Sequence, residues 1–296
     1  MFDRVVQICE HMVAIYSGQL PMILGFAALF TIVAMFHGLA STPGKYWWRN
    51  PGLSTDATYL LIHSLIGSYF RIPIMLVVTF VLSRTMSEAE ILDYFTNGRG
   101  PFSGMPFWWQ FAIYLVVSDF LLYWIHRLFH RGSMWRFHAI HHSATQVDWT
   151  TSMRFHPVNL MLQSSLVLGL MISLGIKPEV IALAAPIDAA IAVWQHSNTK
   201  MTLGPLKYVI ATPVFHRWHH TMPEEGGNSN FAPTFAFWDL AFGTFYMPQG
   251  KLPENFGADD AELGEGYVAQ FVYPFRAYLR DAEASAQAPA TDPPAS

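Results

Sequence analysis

One cysteine, Cys9, stands in 296 residues. That excludes a disulfide framework, a Cys-ligated zinc site and a Cys-ligated iron–sulfur cluster. Charge is also scarce. Asp, Glu, Lys and Arg make up 13% of the chain, against about 25% in a typical soluble domain. The formal net charge is -4, so there is no basic footprint, and nucleic acid is not expected as a partner. No repeat of fixed period occurs. No short apolar core followed by a small-residue cleavage site opens the chain, and Asp3 and Glu10 lie where a signal peptide would be free of acid.

Hydrophobic residues make up 52% of the chain, and they come in long runs. Residues 20–40 contain no Asp, Glu, Lys or Arg, and about 20 apolar residues span a bilayer as a helix. Residues 57–83 carry one charge, Arg71, followed by Pro73, and read as one tilted span or a broken one. Residues 107–125 hold Asp119 as their only charge and open on Trp108–Trp109, a membrane-interface pair. Residues 158–176 are uncharged, and residues 180–195 contain Pro186 and Asp188; together they read as a helical hairpin whose crossing is left open. Five such segments argue for a membrane protein over buried helices of a soluble one. The expected fold is all-α: a polytopic membrane helix bundle with four to five hydrophobic segments and a cytoplasmic histidine-rich helical cap. Residues 1–106 form the expected N-terminal membrane region, 107–280 the catalytic domain and 281–296 a disordered tail rich in Ala, Pro and acid. Orientation follows from Lys and Arg. The side holding residues 41–56, 126–157 and everything after 196 carries twelve of them, against four on the other side, which puts it in the cytoplasm.

The unusual residue is histidine. Of 13, ten lie between His126 and His220, and three lie early at His11, His37 and His63. Those three have no partner at ligand spacing and read as structural. The ten fall mostly into boxes: His126-Arg-Leu-Phe-His130, His138-Ala-Ile-His141-His142 and His216-Arg-Trp-His219-His220. Residues at i, i+3 and i+4 share a helical face, so each box aims its imidazoles the same way. The first box continues the third span, until Gly132 allows a break. His156 and His196 lie between the later boxes, His196 at the end of the last apolar segment. Neutral imidazole suits iron, zinc, copper and nickel. One zinc takes four ligands, so eight to ten imidazoles fit two metal ions better than one.

These residues resemble a known family. The run Asp119-Phe-Leu-Leu-Tyr-Trp-Ile-His126-Arg-Leu-Phe-His130, then Trp135-Arg-Phe-His138-Ala-Ile-His141-His142-Ser143, is similar to the fatty acid hydroxylase / sterol desaturase superfamily. So are Arg154-Phe-His-Pro157, Gln195-His-Ser-Asn198, Thr212-Pro-Val-Phe-His216-Arg-Trp-His219-His220, Asn230-Phe-Ala and Trp238-Asp-Leu-Ala-Phe-Gly-Thr-Phe-Tyr246. The resemblance covers residues 117–248, with no departure inside the boxes. It implies a non-haem di-iron membrane oxygenase, using two iron ions, O₂ as co-substrate and electrons from a redox partner. The ligand set it implies is His126, His130, His138, His141, His142, His216, His219, His220 and His196, with His156 as a ligand or a support. The first 100 residues carry no family motif, so specificity does not transfer.

The expected reaction is hydroxylation of a fatty acyl, sterol or related lipid, with desaturation at the same site as the alternative. An unactivated C–H bond is inert to acid–base side chains and needs a strong one-electron oxidant. No flavin or nicotinamide fingerprint, haem-attachment motif or CxxC occurs, so a separate ferredoxin, cytochrome or reductase is the expected electron donor. Metal-bound histidines usually donate their second N–H to a carboxylate or carbonyl. Asp119, two turns before His126, and Asp239, Asn198 and Asn230 are the candidates for that support. Arg127, Arg131 and Arg217, interleaved with the boxes, read as snorkelling to headgroups. Trp124, Trp135, Trp149 and Trp218 are candidates for lining an apolar substrate tunnel. A metal transporter is the reading from another class, but transporters place ionisable ligands within the bilayer. A zinc hydrolase lacks its H-E-x-x-H here.

Overall fold

The computed structural model describes residues 39–287 except 68, 70, 71, 259 and 261, together with scattered positions from 24 to 35. The span expected over residues 20–40 therefore lies largely outside the described residues, as do His11 and His37. Ten α-helices are described: α1 (Leu53–Ile66), α2 (Ile72–Leu82), α3 (Glu88–Asn97), α4 (Phe107–Phe129), α5 (Trp135–His142), α6 (Pro157–Leu174), α7 (Pro178–His196), α8 (Pro213–His219), α9 (Phe237–Ala241) and α10 (Tyr267–Gln287). No strand occurs among the described residues; two isolated bridges, Ala40 with Thr199 and Thr221 with Phe256, are the only β pairing there.

Among the described residues three helices, α4, α6 and α7, are long and apolar enough to cross a membrane. The hairpin left open by the sequence is thus two helices of spanning length. The 57–83 segment is broken instead: α1 ends at Ile66 and α2, a shorter apolar helix, starts at Ile72. α10 runs to Gln287, seven residues into the stretch expected to be disordered, and 288–296 lie outside the described residues.

Local chemistry sets the helix ends. α6 starts on Pro157, which gives up no needed N–H at the first helical position. It stops at Gly175, where φ of 77° is the left-handed value that glycine adopts freely. α7 again starts on a proline with acidic Glu179 in its first turn. Gly100 lets the chain before α4 approach this corner, since a Cβ there would stand 2.6 Å from the Gly175 amide nitrogen. α3 opens on a reciprocal Ser87–Glu90 capping box.

α4 packs against both α6 and α7, and α2 and α3 lean on this trio. Met75, Ile91, Phe95, Tyr114, Leu168, Met171, Ile181 and Ala184 form the apolar core they share. The outward faces stay greasy: Leu61, Leu65, Val77, Phe80, Trp108 and Trp109 are exposed, as lipid-facing residues are. α4 and α7 end, and α6 begins, at one level. There α5, α8 and the turn Trp149–Met153 close over the bundle.

Candidate metal centre

Four helices deliver histidines to this end. His126 lies in the last turn of α4 and His130 caps it. α5 carries His138, His141 and His142. His196 is the last residue of α7. α8 carries His216 and His219, with His220 at its C-cap. Thr212 starts α8, its hydroxyl accepting from the Phe215 amide.

Nine imidazoles gather into two groups. His126, His130, His138, His142 and His219 form one, His141, His196, His216 and His220 the other; within each, ligand nitrogens lie within 4.8 Å of one another. The box spacing explains the division. At 3.6 residues per turn, i and i+4 lie about 40° apart around the axis, while i+3 lies about 60° to the other side. The i, i+4 pairs therefore stay together: His126 with His130, His138 with His142, His216 with His220. The i+3 members, His141 and His219, cross to the opposite group.

Hydrogen bonds at the outer nitrogens fix the rings. A carbonyl only accepts, so a ring nitrogen against one carries the proton. His126 Nδ1 donates to Phe231 O at 2.7 Å, His219 Nδ1 to Ser229 O at 2.6 Å, His196 Nδ1 to Ala192 O at 2.7 Å and His141 Nδ1 to Arg154 O at 3.2 Å. His138 Nδ1 meets the Asn159 side-chain oxygen at 2.8 Å. In a neutral ring the inner Nε2 is then a bare lone pair. These lone pairs converge: His141 Nε2 on His196 Nε2 at 3.3 Å, and His126 Nε2 on His138 Nε2 at 3.0 Å. Neither pair has a proton to share, so the contacts are repulsive without a cation between them. His130 Nε2 is buried with no hydrogen-bond partner, and in the second group His216 Nε2 lies 3.1 Å from both His196 Nε2 and His220 Nε2. The donor set therefore fits metal in both groups.

Burial keeps the rings neutral. It pushes His130, His138, His141, His142, His216, His219 and His220 well below the usual histidine range, and the neighbouring imidazoles push further. Neutral imidazole is the ligating form.

The structure does not bring His156 into either group. Its Nδ1 accepts from the Val158 amide at 3.1 Å as the N-cap of α6. Its Nε2 donates to Phe271 O of α10 at 3.1 Å, so both nitrogens are engaged. His63 also lies apart, beside Tyr59.

Of the four expected supports, two act on a group through backbone. Asn230 takes φ of 56°; its side chain donates to Phe215 O and Tyr246 O and accepts from the Tyr246 amide. Asp239 accepts from the Phe231 and Ala232 amides, each at 2.8 Å. Together they hold the Ser229–Asn230–Phe231 turn whose carbonyls aim His219 and His126. Burial raises the Asp239 pKa, against these hydrogen bonds. Asp119 instead accepts from the Phe235 amide at 3.0 Å. Asn198 binds Thr42 and Lys45. Neither bonds a histidine.

Three supports escaped the sequence reading. Asn159 faces His138; the signal was an amide within a largely apolar run. Arg154 is buried and its Nε donates to Asp56 at 2.7 Å. That ion pair ties α1 to the residue whose carbonyl orients His141. Arg217 is 1% exposed, which corrects the expectation that it snorkels to headgroups. It donates to Val147 O and to the Thr42 hydroxyl, and stacks over Phe256; burial lowers its pKa to about 10. Box spacing put it on the side of α8 turned from the metal groups and into the cap.

Comparison with known proteins agrees with this architecture. Residues 111–244 match the fatty acid hydroxylase family model, a stretch holding every histidine of the two groups. The chain is 33% identical over 171 residues to the ornithine lipid hydroxylase of Rhizobium tropici, covering 57% of this chain and 51% of that protein. It is 32% identical over 146 residues to the alkylglycerol monooxygenase of Homo sapiens, covering 49% and 32%. It is 26% identical over 212 residues to the Delta(7)-sterol 5(6)-desaturase of Gibberella zeae, covering 68% and 55%. The matches thus span about half of these relatives or less. No solved structure matches the chain. Over residues 111–244, the chain is thus similar to the fatty acid hydroxylase family.

Proposed function

We propose that this chain is a membrane oxygenase that holds two iron ions in its two histidine groups and hydroxylates a lipid with O₂. The observation that carries the reading is the convergence of unprotonated nitrogens, His141 on His196 and His126 on His138. The names of the relatives support the substrate class: ornithine lipid, alkylglycerol and sterol are all lipids. Desaturation at the same site is the second reading, favoured by the sterol desaturase relative.

The first ion falls to His126, His130, His138, His142 and His219, the second to His141, His196, His216 and His220. Bound iron supplies the one-electron oxidation that an unreactive C–H bond requires. The chain's own residues do the rest. The carbonyls of Ser229, Phe231, Ala192 and Arg154 hold the Nδ1 protons, so every Nε2 they set faces inward as a lone pair. Phe155 stacks on His141 at 3.9 Å between centroids, and Phe231 edges onto His126, His130 and His219. These rings exclude water from both groups. Electrons come from a separate ferredoxin, cytochrome or reductase. The histidine end faces the cytoplasm, because it carries most of the Lys and Arg. Residues 107–280 act as the catalytic domain behind an N-terminal membrane region.

Expression in a heterologous host with a compatible donor, followed by lipidomics with and without O₂, tests the reading. A lipid that gains one oxygen in an O₂-dependent way is expected; loss of two hydrogens instead selects the desaturase. No O₂-dependent change, with about one zinc per purified chain, overturns both.

A further inference from the structure

Between the three long helices lies a cavity of about 250 Å³. α4 packs against both other helices, and the cavity fills the wedge they leave. Leu122 and Tyr114 line it from α4, Gln163 and Ser164 from α6, Asp188 and Ala189 from α7. None of Trp124, Trp135, Trp149 or Trp218, the expected tunnel residues, lines it.

The polar lining is out of place in an apolar bundle. An ionisable residue within a span is costly and marks a functional site by default. Asp188 has one protein partner: its Oδ2 accepts from the Tyr114 hydroxyl at 3.1 Å. Its Oδ1 has no donor among the described residues, and the Gln163 and Ser164 side chains make no hydrogen bond there. An interhelical Tyr114–Asp188 bond alone would need neither the open volume nor these further groups. A pure hydrocarbon occupant would leave Asp188 Oδ1 and the Gln163 and Ser164 side chains unmatched.

Position supplies the rest. Asp188 lies eight residues before His196 on α7, about 12 Å along the axis. Leu122 lies four residues before His126 on α4, about 6 Å. The cavity therefore opens within roughly one turn of the first histidine group and carries its carboxyl deeper. A lipid reaching the histidines from the bilayer would lay its remote part here.

We infer that this cavity is a substrate subsite for a lipid whose apolar body carries a hydroxyl or amide N–H, which donates to Asp188. The lipid's own acceptor meets Gln163 or Ser164. The inference rests on the oxygenase reading only in taking the occupant as substrate, and its test needs no turnover.

Full-length protein in lipid nanodiscs is photolysed with stearic acid bearing a mid-chain diazirine. Stearic acid and its mid-chain hydroxylated analogue serve as competitors. Crosslinks are expected on α4, α6 and α7. The hydroxylated competitor is expected to displace the probe about tenfold better, the worth of one buried hydrogen bond. Asp188→Leu should abolish that preference, and Asp188→Asn, which keeps an acceptor, should retain most of it. Ala185→Trp, which fills the cavity, should remove the crosslinks; should Asp188→Leu fail to fold, it and Gln163→Leu carry the test. Equal displacement by both competitors, or crosslinks confined elsewhere, overturns the subsite. Iron content and O₂-dependent products from the same preparation report separately on the oxygenase reading.

Discussion

His141 and His196 meet Nε2 to Nε2 at 3.3 Å, each with its Nδ1 proton already given to a backbone carbonyl. Two lone pairs so placed have no reason to approach unless a cation lies between them. The carbonyls come from different places: Ala192 within the last turn of α7, Arg154 at the end of the Trp149–Met153 turn. The fold thus sets each ring from behind and leaves its reactive nitrogen facing inward.

His196 and His126 test the two groups separately, because α7 feeds only one group and α4 only the other. His196→Ala should cut bound iron from about two per chain to about one, and His126→Ala should do the same. Elemental analysis of purified protein measures this. Retention of two irons in either variant would sink the assignment.

The Ser229–Phe231 turn should matter as much as the ligands it aims. Asn230→Ala and Asp239→Ala remove the hydrogen bonds that hold its carbonyls against His219 and His126. Such supports typically carry about 10–100-fold in metal affinity. Chelator competition should show that loss in the first group, with helical content by circular dichroism kept.

His156 separates stability from metal binding. His156→Ala deletes the N-cap of α6 and the tie to α10, and an N-cap is worth about 1 kcal/mol. A lower melting temperature with unchanged iron content is expected. A lost iron would instead make His156 a ligand.

Breaking the Arg154–Asp56 pair should be severe. Both side chains are buried, and leaving one buried charge unpaired costs about 3–5 kcal/mol. Asp56→Ala should unfold at markedly lower temperature and weaken the second group, because the Arg154 carbonyl orients His141.

Acid should destabilise the metal-free protein. The buried rings have folded pKa values well below the ordinary 6.5, so below that pH the unfolded chain binds protons that the native state refuses. Stability then falls as pH falls. Above 6.5 both states are neutral and the penalty vanishes. Melting temperatures of chelated protein from pH 8 to 5 should stay level and then drop; a rise toward acid would contradict the buried neutral rings.

Much of this was legible in the sequence for a physical reason. Apolar runs of spanning length have few alternatives to a helix, so α4, α6 and α7 follow from counting. Four-residue histidine spacing places two rings on one helical face whatever the tertiary contacts. What was hidden depends on chain segments distant in sequence. The carbonyl behind His126 comes from a turn a hundred residues after α4, and no local pattern announces it. Arg217 stands between two ligands and looks like a surface charge until the Thr42 segment folds over it. Asp119 shares a face with His126, yet its carboxylate meets the Phe235 amide, because angular position does not fix which element packs there.

The crossing of His141 and His219 between groups makes the centre a single mechanical object. α5 and α8 each reach into both groups, so neither can move toward one without withdrawing from the other. The separation of the two groups is written into the angular step of two short helices, not into any loop. A one-residue insertion between His138 and His141 would therefore disturb both groups at once.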